Sequence, residues 1–474
     1  MVFKVKQNIS LNMRLLLVLF FLLIGISSCI DRPSYVSESQ LRISRDTVAF
    51  DTLFTRQSQT GTYPISVTKL IYIKNPEDLW VKADFEIAGG VESSFNMNID
   101  GLSGPKIEQL EIAPKDSVFV FIQCRLEANN LTQPAIVMDS LIARVGTGTS
   151  KVILTAWGWD AHYLKDAVIQ NTLTLSDKTK PYVFIGNIVV APNSTLKINS
   201  GVNLYASAYT GIYVFGNTNW QGSAQERISI RGDKPVAWTD KLPSQWGGIY
   251  FAPGATGNFE YADITNASIG IRADSTALGN APCVSLKQCK IQFCGQACLL
   301  GFGGAIEAEN CLFADAGSYT FLGYHGGWYK FNHCTFSDFS YFSNRQEGHW
   351  GITNTMRDGL GKLLSSNDLT LKIENSIIWG YQKDEVSTDK VDQSAWNTNF
   401  SYSNLKSLNS DNLLSGDNIT FNIDPIFTDY YEGDYTLDSS STLLNKSNIN
   451  STLPIDILGN PRTIPGDLGA YEYK

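Results

Sequence analysis

The sequence has few histidines, no CxxC pair and no surplus of positive charge. Histidine accounts for 4 of 474 residues, and 37 lysine and arginine residues stand against 46 aspartate and glutamate residues, giving a formal net charge of −9. A negative chain argues against a nucleic-acid partner held through its phosphates. Cysteine spacing without a CxxC pair does not fit a zinc site. We therefore expect no metal and no cofactor.

The composition is that of a packed, β-rich protein. Hydrophobic residues make up 43% of the chain, which is too high for a disordered protein. Aromatic residues reach 12% and there are 39 glycines, a content typical of strands and turns. The length exceeds that of one ordinary domain, which indicates two domains or one elongated fold.

Residues 1–28 have the features of an export signal. Lys4, Lys6 and Arg14 precede an apolar stretch, residues 15–26, that is too short for a permanent membrane span. Cleavage before Cys29 would change the net charge from −9 to −12. Residues 29–45 are mostly polar and are interpreted as a tether.

The segment Ile26-Ser27-Ser28-Cys29 resembles the lipobox of bacterial lipoproteins. The resemblance implies that Cys29 carries lipid and anchors the protein to a bacterial membrane, with the outer membrane expected and its periplasmic or cell-surface face left open. The alternative is an ordinary secretory signal, in which Cys29 has no special role.

Six short segments in the second half share one pattern: an apolar residue, any residue, Asn or a similar polar or aromatic residue, a small residue, any residue, and a second apolar residue. The small residues are Ala262, Cys289, Cys311, Cys334, Ser376 and Ser403. A period near 22–23 residues with insertions indicates stacked coils of short strands. We therefore predict a right-handed parallel β-helix over residues 170–415, with the cysteines as small buried thiols.

The regions on either side of the repeat differ from it. Residues 46–165 contain short alternating runs separated by turn signals, which predicts an immunoglobulin-like β-sandwich. Residues 416–474 are expected to cap the open end of the coils. Within this cap, Arg462 is expected to pair with Asp467 or Glu472.

The tail carries a second resemblance. Its segments Asp456-Ile-Leu-Gly-Asn-Pro-Arg462 and Asp467-Leu-Gly-Ala-Tyr-Glu472 resemble the end of secreted bacterial choice-of-anchor Q proteins. Residues 187–248 resemble the opening coils of lipoproteins of the right-handed parallel β-helix repeat family. The resemblance implies fold and export, but no single activity.

Two kinds of function remain open. A cleft formed by His325, Arg345, His349 and Asp358 would make the protein a polysaccharide lyase or glycoside hydrolase acting on a polyuronate-like glycan. The preferred interpretation is a non-catalytic protein that binds a glycan or a protein, or one that serves only as a rigid support. The candidate ligand-binding residues are Tyr324, Trp328, Trp350 and Trp379.

Overall fold

The computed structural model describes residues 33–55, 68–128, 134–234, 239–274, 281–340, 345–408 and 414–474. The predicted signal peptide and Cys29 lie outside these residues. The described residues contain no α-helix; apart from strands they form 3-10 turns at Gly90–Glu92 and Tyr430–Glu432. The predicted all-β class is therefore confirmed.

The chain divides into two compact units, one holding most of the residues up to Ala156 and the other containing Trp157–Lys474. Two five-stranded sheets, ordered β1-β3-β8-β5-β6 and β2-β10-β9-β4-β7, form the N-terminal region. Their registers include the antiparallel pairs β3–β8, β5–β8 and β4–β7, and apolar residues alternate with polar ones, as expected for a sandwich-like domain. The strands are β1 Arg42–Ile43, β2 Thr47–Phe54, β3 Lys69–Lys74, β4 Val81–Ile87, β5 Phe95–Ile99, β6 Leu102–Gly104, β7 Lys106–Ile112, β8 Ser117–Cys124, β9 Ala135–Val145 and β10 Gly148–Trp159.

The remaining strands belong to the predicted parallel β-helix and to two antiparallel pairs, Thr355–Arg357 with Leu363–Ser366 and Phe427–Asp429 with Asp434–Leu437. They are β11 His162–Lys165, β12 Val168–Ile169, β13 Thr172–Leu175, β14 Tyr182–Ile185, β15 Asn187–Val190, β16 Thr195–Asn199, β17 Asn203–Ala206, β18 Gly211–Val214, β19 Asn217–Gln221, β20 Ile228–Gly232, β21 Trp246–Phe251, β22 Thr256–Glu260, β23 Ala262–Thr265, β24 Ala267–Ala273, β25 Val284–Lys287, β26 Lys290–Gln292, β27 Ala297–Phe302, β28 Ala305–Glu309, β29 Leu312–Ala314, β30 Tyr319–Tyr324, β31 Gly327–Asn332, β32 Thr335–Asp338, β33 Trp350–Thr353, β34 Thr355–Arg357, β35 Leu363–Ser366, β36 Leu369–Glu374, β37 Ile377–Gly380, β38 Val386–Asp389, β39 Trp396–Ser401, β40 Asn404–Leu405, β41 Thr420–Phe421, β42 Phe427–Asp429 and β43 Asp434–Leu437.

Three parallel sheets run along the stack of coils. The first parallel sheet has eleven strands, from β11 to β41. The second has nine strands, ordered β12-β15-β18-β21-β24-β27-β30-β33-β38, and the third has nine, from β13 to β39. Their inward residues form one continuous apolar core, with Trp220, Phe259 and Phe321 among its largest buried side chains. Burial of this core is the main stabilising contribution to the coils.

The residue before each small residue of the repeat adopts a left-handed backbone. These turn residues are Tyr261, Gln288, Asn310, His333, Asn375 and Tyr402, with φ between 46° and 51°. Asn tolerates this conformation better than most residues. The repeat therefore marks the sharp turn between the third and first parallel sheets, as the Asn-like position predicts.

The C-terminal segment caps the stack and then covers its side. Leu414, Ile419 and Phe421 contact the apolar core beyond the last coil. Farther along, the Ile455 carbonyl accepts a hydrogen bond of 2.9 Å from Asn310 Nδ2, and the Ser451 carbonyl accepts one of 3.0 Å from Asn332 Nδ2. Because Asn310 is a turn residue and Asn332 directly precedes the turn residue His333 of the next coil, the tail lies along the side of the coils at these turns.

Candidate functional site

The outer side of the second parallel sheet carries a row of aromatic residues on successive coils. Tyr213 pairs with Tyr250 across β18 and β21, and Tyr250 pairs with Arg272 on β24. Arg272 pairs with Leu300 on β27, and Phe302, two residues farther along that strand, pairs with Tyr324 on β30. Side chains of a strand alternate in direction, so these residues point away from the core. We call Tyr213, Tyr250, Arg272, Phe302 and Tyr324 the aromatic stripe.

The side chains of the stripe contact one another along the stack. The rings of Tyr213 and Tyr250 lie 6.2 Å apart, and those of Phe302 and Tyr324 lie 5.6 Å apart. The Arg272 guanidinium joins the two pairs, at 5.6 Å from the Tyr250 ring and 5.9 Å from the Phe302 ring. Neighbouring coils are about 4.8 Å apart, so the stripe covers roughly 20 Å over five coils.

One side of the stripe faces solvent, and the other side is supported by the packed core of the coils. Tyr213 is 36% exposed, and Phe215, two residues farther along the same segment, is 45% exposed. Tyr250, Phe302 and Tyr324 are half-buried. The residues between them point into the apolar core, which fixes the spacing of the rings. Such preorganised aromatic surfaces lose little conformational entropy when a ligand binds.

Arg272 is held by its neighbour on the same segment. Its Nε and Nη2 atoms each donate a hydrogen bond of 2.8 Å to the two carboxylate oxygens of Asp274. This bidentate geometry is the strong form of an arginine–carboxylate contact. Because 40% of the Arg272 side chain remains exposed, the pair lies at the surface of the stripe.

A hairpin formed by β34 and β35 leaves the coil at the C-terminal end of the stripe. Arg357 on this hairpin donates to both carboxylate oxygens of Asp389, at 2.6 Å from Nε and 2.9 Å from Nη2. The backbone N–H of Arg357 donates to the Tyr324 hydroxyl at 3.3 Å. The hairpin is thus connected to the last ring of the stripe.

Two of the predicted catalytic candidates lie beside this hairpin. His325 follows Tyr324 and its Nε2 lies 2.9 Å from the Ser365 hydroxyl, while its ring centroid is 5.6 Å from that of Phe302. Asp358 accepts hydrogen bonds of 2.9 Å from the backbone N–H groups of Leu360 and Lys362. Asp358 therefore holds the turn of the hairpin.

The other two candidates, Arg345 and His349, belong to a buried charged cluster. Arg345 Nη1 lies 2.9 Å from Glu385 Oε2, and Arg345 Nε lies 2.7 Å from Asp338 Oδ2. His349 donates its backbone N–H to Glu385 at 3.2 Å. The side chains of Asp338, Glu385 and His349 have no exposed surface, so the cluster has no access to a ligand in this structure.

Burial controls protonation in this cluster. Loss of solvent lowers the pKa of His349 to about 4 and raises the pKa of Asp338 to about 7. Neutral His349 donates from Nε2 to the Trp379 carbonyl at 3.1 Å and accepts at Nδ1 from the Thr320 hydroxyl at 2.5 Å. These contacts satisfy both ring nitrogens, which is typical of a structural histidine.

The four candidates therefore form two separate pairs. His349 lies beside Thr320 at the start of β30, whereas His325 follows the end of β30. Thr320 and His325 are five residues apart along this extended strand, which corresponds to a distance of about 16 Å. One cleft containing all four side chains is not formed.

The predicted tryptophans also lie in different environments. Trp350 is completely buried, with its ring 5.3 Å from Phe321. Trp379 is 8% exposed in a cluster with residues of the tail, and Trp328 is partly buried against the core. Of the predicted ligand-binding residues, Tyr324 is the one that belongs to the stripe.

Most of the stripe was missed by the sequence reasoning. Tyr213 and Tyr250 each stand between apolar residues of a short strand, in Ile-Tyr-Val and Ile-Tyr-Phe. Alternation along a strand places such a residue on the outer side, so this signal was present. The positions of Phe302, Arg272 and Arg357 beside the other stripe residues depend on the register between coils. The irregular repeat in the sequence does not reveal that register.

A second, shallow surface lies on the third parallel sheet. Trp396, Lys372, Lys390 and Asn399 are among the residues that line it. Lys372 lies 2.8 Å from Glu374 and Lys390 lies 3.4 Å from Asp392, so both lysines are paired with acids. This surface offers one aromatic ring, whereas the stripe offers four.

In the described part of the chain, no group of three or more His, Cys, Asp and Glu side chains is placed to hold a metal ion. Within the same residues, no helix has the length and hydrophobicity needed to span a bilayer.

Comparison with known proteins leaves the chain without an assigned family. No family model matches it, and no curated protein matches it. A family 123 glycoside hydrolase from Clostridium perfringens, studied for glycolipid glycan hydrolysis, is among the similar solved structures. It shares 10% identity over 28% of this chain and 26% of its own, with a TM-score of 0.17. A likeness at this level carries no argument about function.

Proposed function

We propose that this chain is an exported β-helix protein that binds a glycan, without catalysis, along the aromatic stripe. The observation that carries the proposal is the set of four outward-facing rings on four of five successive coils, with Tyr213 exposed and Tyr250, Phe302 and Tyr324 half-buried. Aromatic rings combine a large apolar surface with a polar edge and suit ligands that have both apolar faces and hydroxyl groups. The coils repeat at a regular spacing, and a polysaccharide also presents similar units at a regular spacing.

The carboxylates beside the stripe favour binding over hydrolysis. A glycoside hydrolase uses one carboxyl group as an acid and a second as a base or nucleophile. Asp274 and Asp389 each accept two hydrogen bonds from an arginine, so both oxygens of each carboxylate are already engaged. The contact with Arg357 also lowers the pKa of Asp389, which disfavours a role as proton donor.

The proposal includes membrane attachment through Cys29. The sequence before Cys29 supports lipidation, and a polar tether follows it. A lipid anchor would concentrate the stripe near a membrane surface while the β-helix folds in water. The glycan would then be one that reaches that surface.

Glycan binding is tested by affinity electrophoresis of the full-length protein through gels that contain single polysaccharides. The double variant Tyr213→Ala/Tyr250→Ala should lose roughly fivefold or more in affinity, at about 0.5–1.5 kcal/mol for each ring. Tyr381→Ala is the matched control, since Tyr381 is 79% exposed and lies outside the stripe. Equal retardation of wild type and double variant, with equal melting temperatures, would contradict the proposal.

A further inference from the structure

We infer that the aromatic stripe takes a neutral glycan and discriminates against polyuronates; the inference rests on the proposed function of the same surface. It follows from the scarcity of charge on the second parallel sheet and from the pairing of the charges that are present.

The second parallel sheet differs from its neighbours in charge. Its nine strands contain two ionised side chains, Arg272 and Asp389. The nine strands of the third parallel sheet contain eight: Lys197, Glu260, Lys287, Glu307, Glu309, Lys330, Lys372 and Glu374. The same fold thus accepts charged residues at outward positions. The stripe lies on the second parallel sheet, which has few charged residues.

Each arginine at the stripe is already neutralised by a carboxylate. Arg272 makes two contacts of 2.8 Å with Asp274, and Arg357 makes contacts of 2.6 and 2.9 Å with Asp389. A uronate approaching either guanidinium also approaches the carboxylate bound to it. The attraction and the repulsion then largely cancel.

A neutral sugar meets no such opposition. Its hydroxyl groups both donate and accept, so they can bond to the remaining N–H groups of Arg272 and to unused lone pairs of Asp274. The rings on either side supply contact for the apolar parts of the sugar. The net charge of −9 adds a general repulsion against polyanions.

The test compares neutral and acidic polysaccharides on the full-length protein. Laminarin, mannan and galactan serve as neutral probes, and alginate and polygalacturonate as acidic probes. We expect at least one neutral probe to bind ten times more tightly than either acidic probe. Raising NaCl from 50 to 500 mM should change that affinity by less than twofold, because no net ion pairing is involved.

A gain of binding gives the sharper readout. Asp274→Asn leaves Arg272 without its counter-charge and should raise the affinity for alginate or polygalacturonate severalfold, in a salt-sensitive manner. Asp263→Asn is the matched control, since Asp263 on β23 of the first parallel sheet receives the same kind of bidentate contact from Arg227. It should leave the affinity for acidic probes unchanged.

The outcomes separate this inference from the proposed function. Tighter binding of an acidic probe than of every neutral probe, weakened by Tyr213→Ala/Tyr250→Ala, would overturn the neutral-glycan inference and keep the glycan-binding function. An unchanged affinity of Asp274→Asn for acidic probes would also overturn the inference. Absence of binding to all five probes would overturn both.

Discussion

The side chains of Cys289, Cys311 and Cys334 follow one another on successive coils as free, buried thiols. The backbone N–H of Cys289 donates to Cys311 Sγ at 3.4 Å, and Ser376 accepts in the same way from Cys334 at 3.0 Å. The small position of the repeat therefore takes a small side chain, and at Cys311, Ser376 and Ser403 that side chain also accepts a hydrogen bond from the preceding coil. Buried Ala262 shows that small size alone is sufficient.

This ladder should resist thiol reagents. Burial raises the pKa of Cys289 and Cys311 well above that of an ordinary thiol, so these groups stay protonated and inaccessible. Iodoacetamide at pH 8 followed by peptide mass spectrometry should leave them unmodified in the native protein and modify them in 6 M guanidinium. Rapid native modification would contradict the buried ladder.

His349 should make stability depend on pH. Its folded pKa of about 4 lies below its ordinary value of 6.5, so the unfolded state binds the proton more readily. This contribution to stability is present above pH 6.5 and is lost as the pH falls towards 4. Between pH 7 and 4.5 the loss is about 2 kcal/mol.

The variant His349→Gln isolates that contribution, because glutamine keeps a donor and an acceptor but does not titrate. We expect the melting temperature of the wild type to fall more steeply between pH 7 and 4.5 than that of His349→Gln. Parallel curves would show that His349 is not buried in its neutral form.

At the scale of elements, the tail is organised around one buried arginine. Arg462 Nη1 donates to Glu472 at 3.1 Å, and Nη2 donates to Asn310 Oδ1 at 2.9 Å and to the Gly469 carbonyl at 2.9 Å. Of the two carboxylates expected from the sequence, Glu472 is the one that pairs with this guanidinium, whereas Asp467 accepts from Nη1 through its backbone carbonyl at 3.4 Å. The contact with Asn310 connects the tail to the turn ladder.

Removal of this side chain should detach the tail from the coils. Arg462→Ala leaves Glu472 and several carbonyls buried without their donor, at a cost of about 3–5 kcal/mol. Hydrogen exchange of residues 445–472 should become faster and the melting temperature should fall. Lys178→Ala, which removes an exposed ion pair with Glu226, should cost at most about 1 kcal/mol. Equal effects of the two variants would contradict this role.

At the scale of the whole molecule, the sequence predicted the fold better than the site. The left-handed turn and the small position recur at every coil from Tyr261 onwards, so a local pattern sufficed to predict parallel strands. The location of the site depends on which outward face of each coil remains accessible to solvent. Residue type alone favours His349 and Trp350, yet both are buried, Trp350 in the apolar core of the coils and His349 between Thr320 and the Trp379 carbonyl.

Membrane attachment is a prediction for the intact chain. Cys29→Ala should abolish incorporation of labelled fatty acid and move the protein from the membrane fraction to the soluble fraction. Ser28→Ala is the matched control, because it keeps a small residue before the cysteine. Unchanged membrane partition of Cys29→Ala would rule out the lipid anchor.

The most direct test of the central claim is a crystal structure of the protein soaked with an oligosaccharide of the polysaccharide that binds. We predict sugar rings stacked on Tyr213, Tyr250, Phe302 and Tyr324, with hydroxyl groups within hydrogen-bond distance of the Arg272–Asp274 pair. Sugar bound instead over Trp396 on the third parallel sheet, with the stripe empty, would contradict the account.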